Sequence, residues 1–305
     1  MKKRLSLRTK EAIACYLFLT PMIVGILVFQ YIPTIASLVL SFTRWNFLRA
    51  PEFIGVANYV EIFTRDIRVT ESAVATLYYA FVGVPLVLLL SFSMAMFLST
   101  KRRGVGIFRT IYYIPTLVFG SAAIMVFFGI LFAENGIINS ILFNVFNING
   151  PNYLQTAWAM PTLIFIALWG LGSSFIVFLA ALKGVPDELY ESASLDGAGF
   201  FRKLRSITVP YVSPVILFNL IIGFIGGFQV FNQAAALTQG GPGNATRFWV
   251  YNLYLIAFRD LRAGYATALA WLLFIITMLF SLLIFKTSAK LVFYSGDQHD
   301  MKTRF

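Results

Sequence analysis

YATALAWLLFIITMLFSLLIF, residues 265–285, contains no Asp, Glu, Lys, Arg or His. At a rise of about 1.5 Å per residue, a helix of this length crosses a hydrocarbon core of about 30 Å. Five more apolar runs lie upstream, at 13–42, 72–98, 107–132, 157–182 and 212–236, each free of ionisable side chains in its middle. None alternates apolar and polar residues with the period of a strand, which argues against a membrane-spanning barrel. The fold class is therefore all-α integral membrane, with six transmembrane helices. Composition agrees: 59% of the 305 residues are hydrophobic and 12% charged, whereas soluble domains hold about 45–50% and about 25%. The first run carries Pro21 and Pro33, so a kink or an interfacial stretch is expected there. That run is too long for a removable signal peptide and lacks a clear small-residue cleavage site.

The net charge of +11 is unevenly spread. Seventeen Lys and Arg fall in the N-terminal arm, in 101–109, in 183–205 and in the tail from Lys286, and seven fall in the remaining loops. Basic residues concentrate in cytoplasmic segments, so both termini and the 183–211 loop are expected inside the cell. The expected division is an arm, first helix and outside loop over 1–71, a transmembrane domain over 72–286, and a cytoplasmic tail over 287–305. The first outside loop, 43–71, balances four basic residues against Glu52, Glu61, Asp66 and Glu71 and reads as a small folded cap. The third outside loop carries the turn-forming run Gln239-Gly240-Gly241-Pro242-Gly243-Asn244.

Residues that would carry catalysis or ion coupling are scarce. Cys15 is the single cysteine and His299 the single histidine, so neither an internal disulfide nor a histidine metal site arises from them. No ionisable group sits mid-span, where proton-coupled transporters commonly place one. The sequence has no Gly-x-x-x-x-Gly-Lys-[Ser/Thr] loop for nucleotide phosphates and no His-Glu-x-x-His motif. Sodium-coupled transporters can manage with carbonyls, but the chain shows no energy source of its own, so if it transports actively, ATP hydrolysis by a partner is expected.

The segment 183–211 reads as two short helices around a turn. Pro186 suits a first helical position, and Asp187 and Glu188 place negative charge at the positive end of the helix. Asp196-Gly197-Ala198-Gly199 breaks the run, since glycine permits tight-turn backbone angles. A second helix over 200–207 exposes Arg202, Lys203 and Arg205, and Pro210 is expected to stop it. From the residues alone, an amphipathic hairpin resting on the headgroups is equally open.

The pattern Glu191-Ser192-Ala193, Gly197, Ile207-Thr208-Val209-Pro210 resembles the signature loop of ABC-importer permeases, Glu-Ala-Ala, three residues, Gly, nine residues, Ile-x-Leu-Pro. Ser192 and Val209 depart from it within their size classes. Phe53-Ile54-Gly55 with Asn58-Tyr59, and Leu237-Thr238-Gln239-Gly240-Gly241-Pro242, also resemble the sugar-importer branch and the first permease of maltose-type systems. The similarity extends over about residues 13–290. It implies a type I importer with two related permeases, here a heterodimer, two cytosolic ATPase subunits and an extracytoplasmic sugar-binding protein. This chain would bind no cofactor, and ATP and Mg would be used by the ATPase. The resemblance implies that 183–211 docks on the ATPase, with Glu191, Ala193, Asp196, Gly197, Arg202 and Pro210 as coupling residues.

By the same resemblance, the sugar path would involve Thr116, Gly120, Ser173, Gly223, Gly227 and Gln229. Trp169 adds an aromatic face able to stack on sugar C–H surfaces. Gly223, Gly226 and Gly227 also suit close helix packing. Several polar positions of the maltose case are glycine or smaller here, which makes maltose itself doubtful. Two other readings stay open: a permease for a non-sugar solute such as glycerol phosphate, with Arg247 as weak support, and a membrane enzyme acting on lipid-linked sugars through Glu52, Glu61 and Asp66.

Overall fold

The computed structural model describes residues 6–100, 104–119 and 121–288. The chain forms two compact units. One holds the residues up to Arg65 together with Leu253–Leu272, and the other holds Asp66–Asn252 and the residues from Leu273 on.

In the first unit, α1 (Leu7–Ile26) and α2 (Ile32–Ser41) join through a π-turn at Leu27–Tyr31 into one helix of 35 residues. The wider turn falls just before Pro33, where the ring would crowd the preceding carbonyls and no N–H is available. Strands β1 (Thr43–Arg44) and β2 (Glu52–Phe53) pair antiparallel, Thr43 opposite Phe53. Helix α3 (Ala57–Thr64) locks this hairpin through buried Asn58, whose Nδ2 donates to the carbonyls of Ser41 at 2.8 Å and Thr43 at 3.0 Å. Arg262 Nη2 pairs with Glu61 at 2.7 Å, and its guanidinium lies 4.3 Å from the Tyr265 ring centroid.

The second unit runs through α4 (Ile67–Leu98), α5 (Val105–Val118), α6 (Ala122–Phe132), α7 (Ile137–Phe146), α8 (Ala159–Trp169) and α9 (Gly172–Lys183). It continues with α10 (Asp187–Leu195), α11 (Phe200–Lys203) and α12 (Val209–Phe228). It ends within α13 (Trp249–Tyr254) and takes up again in the later part of α14 (Ala263–Ser288). Helix α4 is the hub, packing against α8, α9 and α12. Phe81, Phe224, Phe228 and Phe280 stack into one aromatic cluster with centroids 4.8–6.0 Å apart.

Among the described residues, five segments are long and apolar enough to cross a membrane: Leu7–Ser41, Ile67–Leu98, Ala123–Phe146, Phe200–Phe228 and Ala263–Ser288. The pair α8 and α9, bent by 47°, is long and apolar enough to make a sixth when counted as one broken span. The apolar runs do not map one to one onto straight helices. The run 107–132 breaks after Val118, where Phe119 is extended and Ser121 caps α6 by accepting from the Ile124 N–H. Its first half, α5, has 14 residues and is about 21 Å long, short of a bilayer core. Helix α6 instead continues through a turn at 133–136 into α7.

Pro210 does not stop the second hairpin helix, contrary to the expectation from sequence. A π-turn at Leu204–Thr208 precedes it, and the helix continues from Phe200 to Phe228. The extra residue in the turn makes room for the proline ring. The run 212–236 also ends early, because α12 closes at Phe228 and helical winding resumes only beyond Phe231. The glycine-rich run after it is anchored rather than loose. Thr246 Oγ1 lies 2.7 Å from Thr238 Oγ1 and 2.6 Å from the Gly241 carbonyl, and the Trp249 N–H donates to Thr76 Oγ1 at 2.8 Å.

Candidate functional site

A cavity of about 440 Å³ opens in the second unit where three helices are interrupted. It is bounded by α4, the break after α5, the bend between α8 and α9, and the end of α12. No described lining residue carries a formal charge; the polar groups are Tyr79, Ser173, Ser174, Gln229, Asn232 and Gln233. A pocket of this size with a few uncharged polar groups suits a small polar organic molecule.

Backbone proximity builds the walls. Gly170 sits under the Phe119 ring, where a Cβ would come within 2.7 Å of ring carbons. At the break, the Leu171 carbonyl accepts the Phe175 N–H at 3.0 Å as the start of α9 and also the Ser91 hydroxyl of α4 at 3.1 Å. Gly223 and Gly227 meet Val84 and Ala80 of α4, a Cβ at Gly227 lying 3.0–3.3 Å from those residues. Those two glycines thus serve close packing and line the cavity together, while Gly226 lines it without a close neighbour.

Of the pathway candidates, Ser173, Gly223, Gly227 and Gln229 line this cavity. Gln229 is exposed and caps the end of α12, so it is not embedded in a helical turn. Thr116 lies outside the lining; its buried hydroxyl has no hydrogen-bond partner and packs against Gly172. Trp169 is also outside it, half-exposed, with an edge-on contact to Phe128 at 5.9 Å. Gly120 falls outside the described residues. Sequence reasoning missed Tyr79 and Gln233, both buried, whose side chains meet across 154 residues with Tyr79 Oη donating to Gln233 Oε1 at 2.9 Å. The available signal was two adjacent amides, Asn232 and Gln233, near the end of the apolar run 212–236.

The 183–211 segment forms the expected hairpin, with Pro186 as N-cap rather than first helical residue and Asp187 and Glu188 in the first turn of α10. Gly197 has φ +73°. Its N–H donates to the Ser194 carbonyl at 3.1 Å, and the Ala198 N–H donates to the Ala193 carbonyl at 2.9 Å. This pair of bonds is the Schellman closure, which needs a left-handed residue in that position. Asp196 caps the helix, and Glu191, Asp196, Gly197 and Arg202 are exposed. Tyr190 Oη lies 2.9 Å from Thr208 Oγ1, and Lys203 Nζ donates to Ser194 Oγ at 2.6 Å, stapling the two arms. Pro210, in the first turn of α12, is half-buried. Leu195 is 90% and Phe201 81% exposed at the hairpin's tip, apolar surface of the kind that partners cover.

The groups behind the alternative readings are engaged elsewhere. Arg247 is buried, donates from Nε to Asn252 Oδ1 at 2.9 Å, and does not line the cavity. Glu52 pairs with Arg44 at 3.6 Å, Glu61 with Arg262, and Asp66 with Arg68 at 3.0 Å.

Residues 87–291 match the family model described as binding-protein-dependent transport system inner membrane component. Over 98% of this chain and 97% of the relative, the sequence is 38% identical to the probable ABC transporter permease protein YesP of Bacillus subtilis. It is 30% identical to the trehalose/maltose transport system permease protein MalF of Thermococcus litoralis, over 92% and 95% of the two chains. The fold matches a chain in the crystal structure of a bacterial alginate ABC transporter in complex with alginate pentasaccharide-bound periplasmic protein. That match has a TM-score of 0.79 and 24% identity, over 95% and 98% of the two chains.

Proposed function

The chain belongs to the binding-protein-dependent transport system inner membrane component family, and from that premise we propose that it forms part of the path by which a sugar or oligosaccharide enters the cell. It is a multi-pass membrane transport subunit and not an enzyme. The observation that carries the sugar reading is the cavity: uncharged, set among interrupted helices, and lined by hydroxyl and amide groups that donate and accept at once. The names of relatives for starch products, trehalose/maltose and arabino-oligosaccharides support the same substrate class.

The working unit is then this permease, a second related permease, two cytosolic ATPase subunits that use ATP and Mg, and an extracytoplasmic binding protein that delivers the sugar. Residues 72–286 act as the transmembrane domain in a bacterial inner membrane. The 17-to-7 distribution of basic residues supports cytoplasmic termini and a cytoplasmic 183–211 hairpin. The exposed Leu195, Phe200 and Phe201 flanking the Schellman turn suit a groove on the ATPase, with Glu191, Ala193, Asp196 and Arg202 around them.

Gln229→Leu tests the cavity. The substitution keeps size and removes both donor and acceptor from an exposed side chain, so assembly should be unchanged. One neutral hydrogen bond is worth about 0.5–1.5 kcal/mol, so sugar uptake into liposomes carrying the assembled importer should fall about three- to tenfold. Unchanged uptake per assembled complex would remove Gln229 from the path.

A further inference from the structure

Gln233 is 5% and Tyr79 6% exposed, yet both line the cavity. A primary amide has two N–H donors and an oxygen that accepts. Tyr79 Oη satisfies the oxygen at 2.9 Å. Among the described residues, nothing accepts from Gln233 Nε2. Nε2 is not sealed in the protein interior, and the open side of the residue is the cavity.

The tyrosine is held from several directions. Its ring packs on fully buried Phe248, with centroids 5.1 Å apart. One helical turn earlier, Thr76 Oγ1 accepts the Trp249 N–H at 2.8 Å and itself donates to the Ser72 carbonyl at 2.7 Å. Asn252 Nδ2 reaches Ser72 Oγ at 3.5 Å. The ring of Tyr79 is therefore fixed relative to the 246–252 segment, and with its hydroxyl donating to Oε1 the amide of Gln233 keeps Nε2 on the side away from Tyr79.

We propose that Gln233 is a specificity-determining residue of the transport path, presenting Nε2 as a fixed donor to an acceptor oxygen of the sugar, and that Tyr79 is its positioning residue. The proposal rests on reading the cavity as the sugar path. Exposed Gln229 can turn to offer either end of its amide, whereas Gln233, with its oxygen taken up by Tyr79, offers Nε2. A hydroxyl, ring or glycosidic oxygen satisfies it, and a solute presenting only donors there does not.

The test uses the full importer in proteoliposomes at saturating binding protein, so that delivery does not limit uptake. Maltose, trehalose, raffinose, arabinotriose and an unsaturated alginate disaccharide serve as probes. For the probe that wild type takes up fastest, Gln233→Leu should lower maximal uptake per assembled complex about three- to tenfold, the ratio one neutral hydrogen bond supports. Recovery of the assembled complex should hold within about twofold of wild type. Tyr79→Phe should lower uptake less, and the double variant should match Gln233→Leu, because Tyr79 acts through the amide. Gln233→Glu keeps the acceptor for Tyr79 and replaces the donor, and it decides the case if Gln233→Leu fails to assemble; it too should lose uptake. Normal uptake in Gln233→Glu, normal uptake in Gln233→Leu, or multiplicative losses in the double variant would each overturn the proposal. If wild type imports none of the probes with ATP, the sugar reading fails first and takes this inference with it.

Discussion

Replacing Gly197 offers a graded test of the hairpin, because its backbone angle and both Schellman bonds are defined. At φ +73° an L-residue meets its own carbonyl, at a cost of about 1–2 kcal/mol for alanine. Asparagine tolerates the left-handed region better and should cost less. Proline fixes φ near −65° and has no N–H, so it cannot make the 3.1 Å bond to Ser194 and misplaces the Ala198 N–H that reaches Ala193. At about 1 kcal/mol for each lost bond, with the angle penalty added, proline costs about 3 kcal/mol. For a short exposed element, that shifts the balance between closed and frayed turns by about 100-fold. No described membrane-crossing helix contains the site, so insertion should be normal. Sugar uptake per ATP hydrolysed, measured in liposomes, should fall in the order Asn, Ala, Pro. Equal losses in all three variants would show that the backbone angle is irrelevant, and a proline variant coupled like wild type would refute the docking role of the turn.

Other perturbations probe the remaining features. Gly170→Ala drives a Cβ into the Phe119 ring and should reduce transport severalfold; Phe119→Ala in the same chain should restore part of it, measured as uptake per assembled complex. With Cys15 replaced by Ser, Asp187→Cys should resist a membrane-impermeant thiol reagent applied outside intact cells, while exposed Ala245→Cys should react; the reverse pattern inverts the topology. Gly227→Leu overfills the contact with Val84 and Ala80 and should cost about 1–3 kcal/mol, read as reduced recovery of assembled complex.

The hairpin was legible because its signals are local. Pro186, the two acids after it and Gly197 act within one or two helical turns of where they sit, and the structure keeps them close to that reading. The breaks were not legible, since hydropathy runs smoothly through 107–132 and 157–182. What meets those breaks is a distant neighbour, such as the Phe119 ring over Gly170. Pro210 misled for the opposite reason: a π-turn ahead of it absorbs the missing donor. Trp169 looked like a sugar platform by residue type alone, but only the bend of its helix decides which way the ring points. Tyr79 and Gln233 were invisible as a pair because nothing in a sequence marks a contact across such a separation.

The helix that carries Pro210 has a mechanical consequence. Phe200 and Phe201 stand exposed at its first turn, and Gln229 follows its last. Its 29 residues span about 43 Å as one rod. A tilt of about 5° about the hairpin end would carry the cavity end through about 4 Å at that length, more than the reach of a hydrogen bond. A small rotation imposed at the hairpin end is thus geared up at the Gln229 end into a displacement longer than one hydrogen bond.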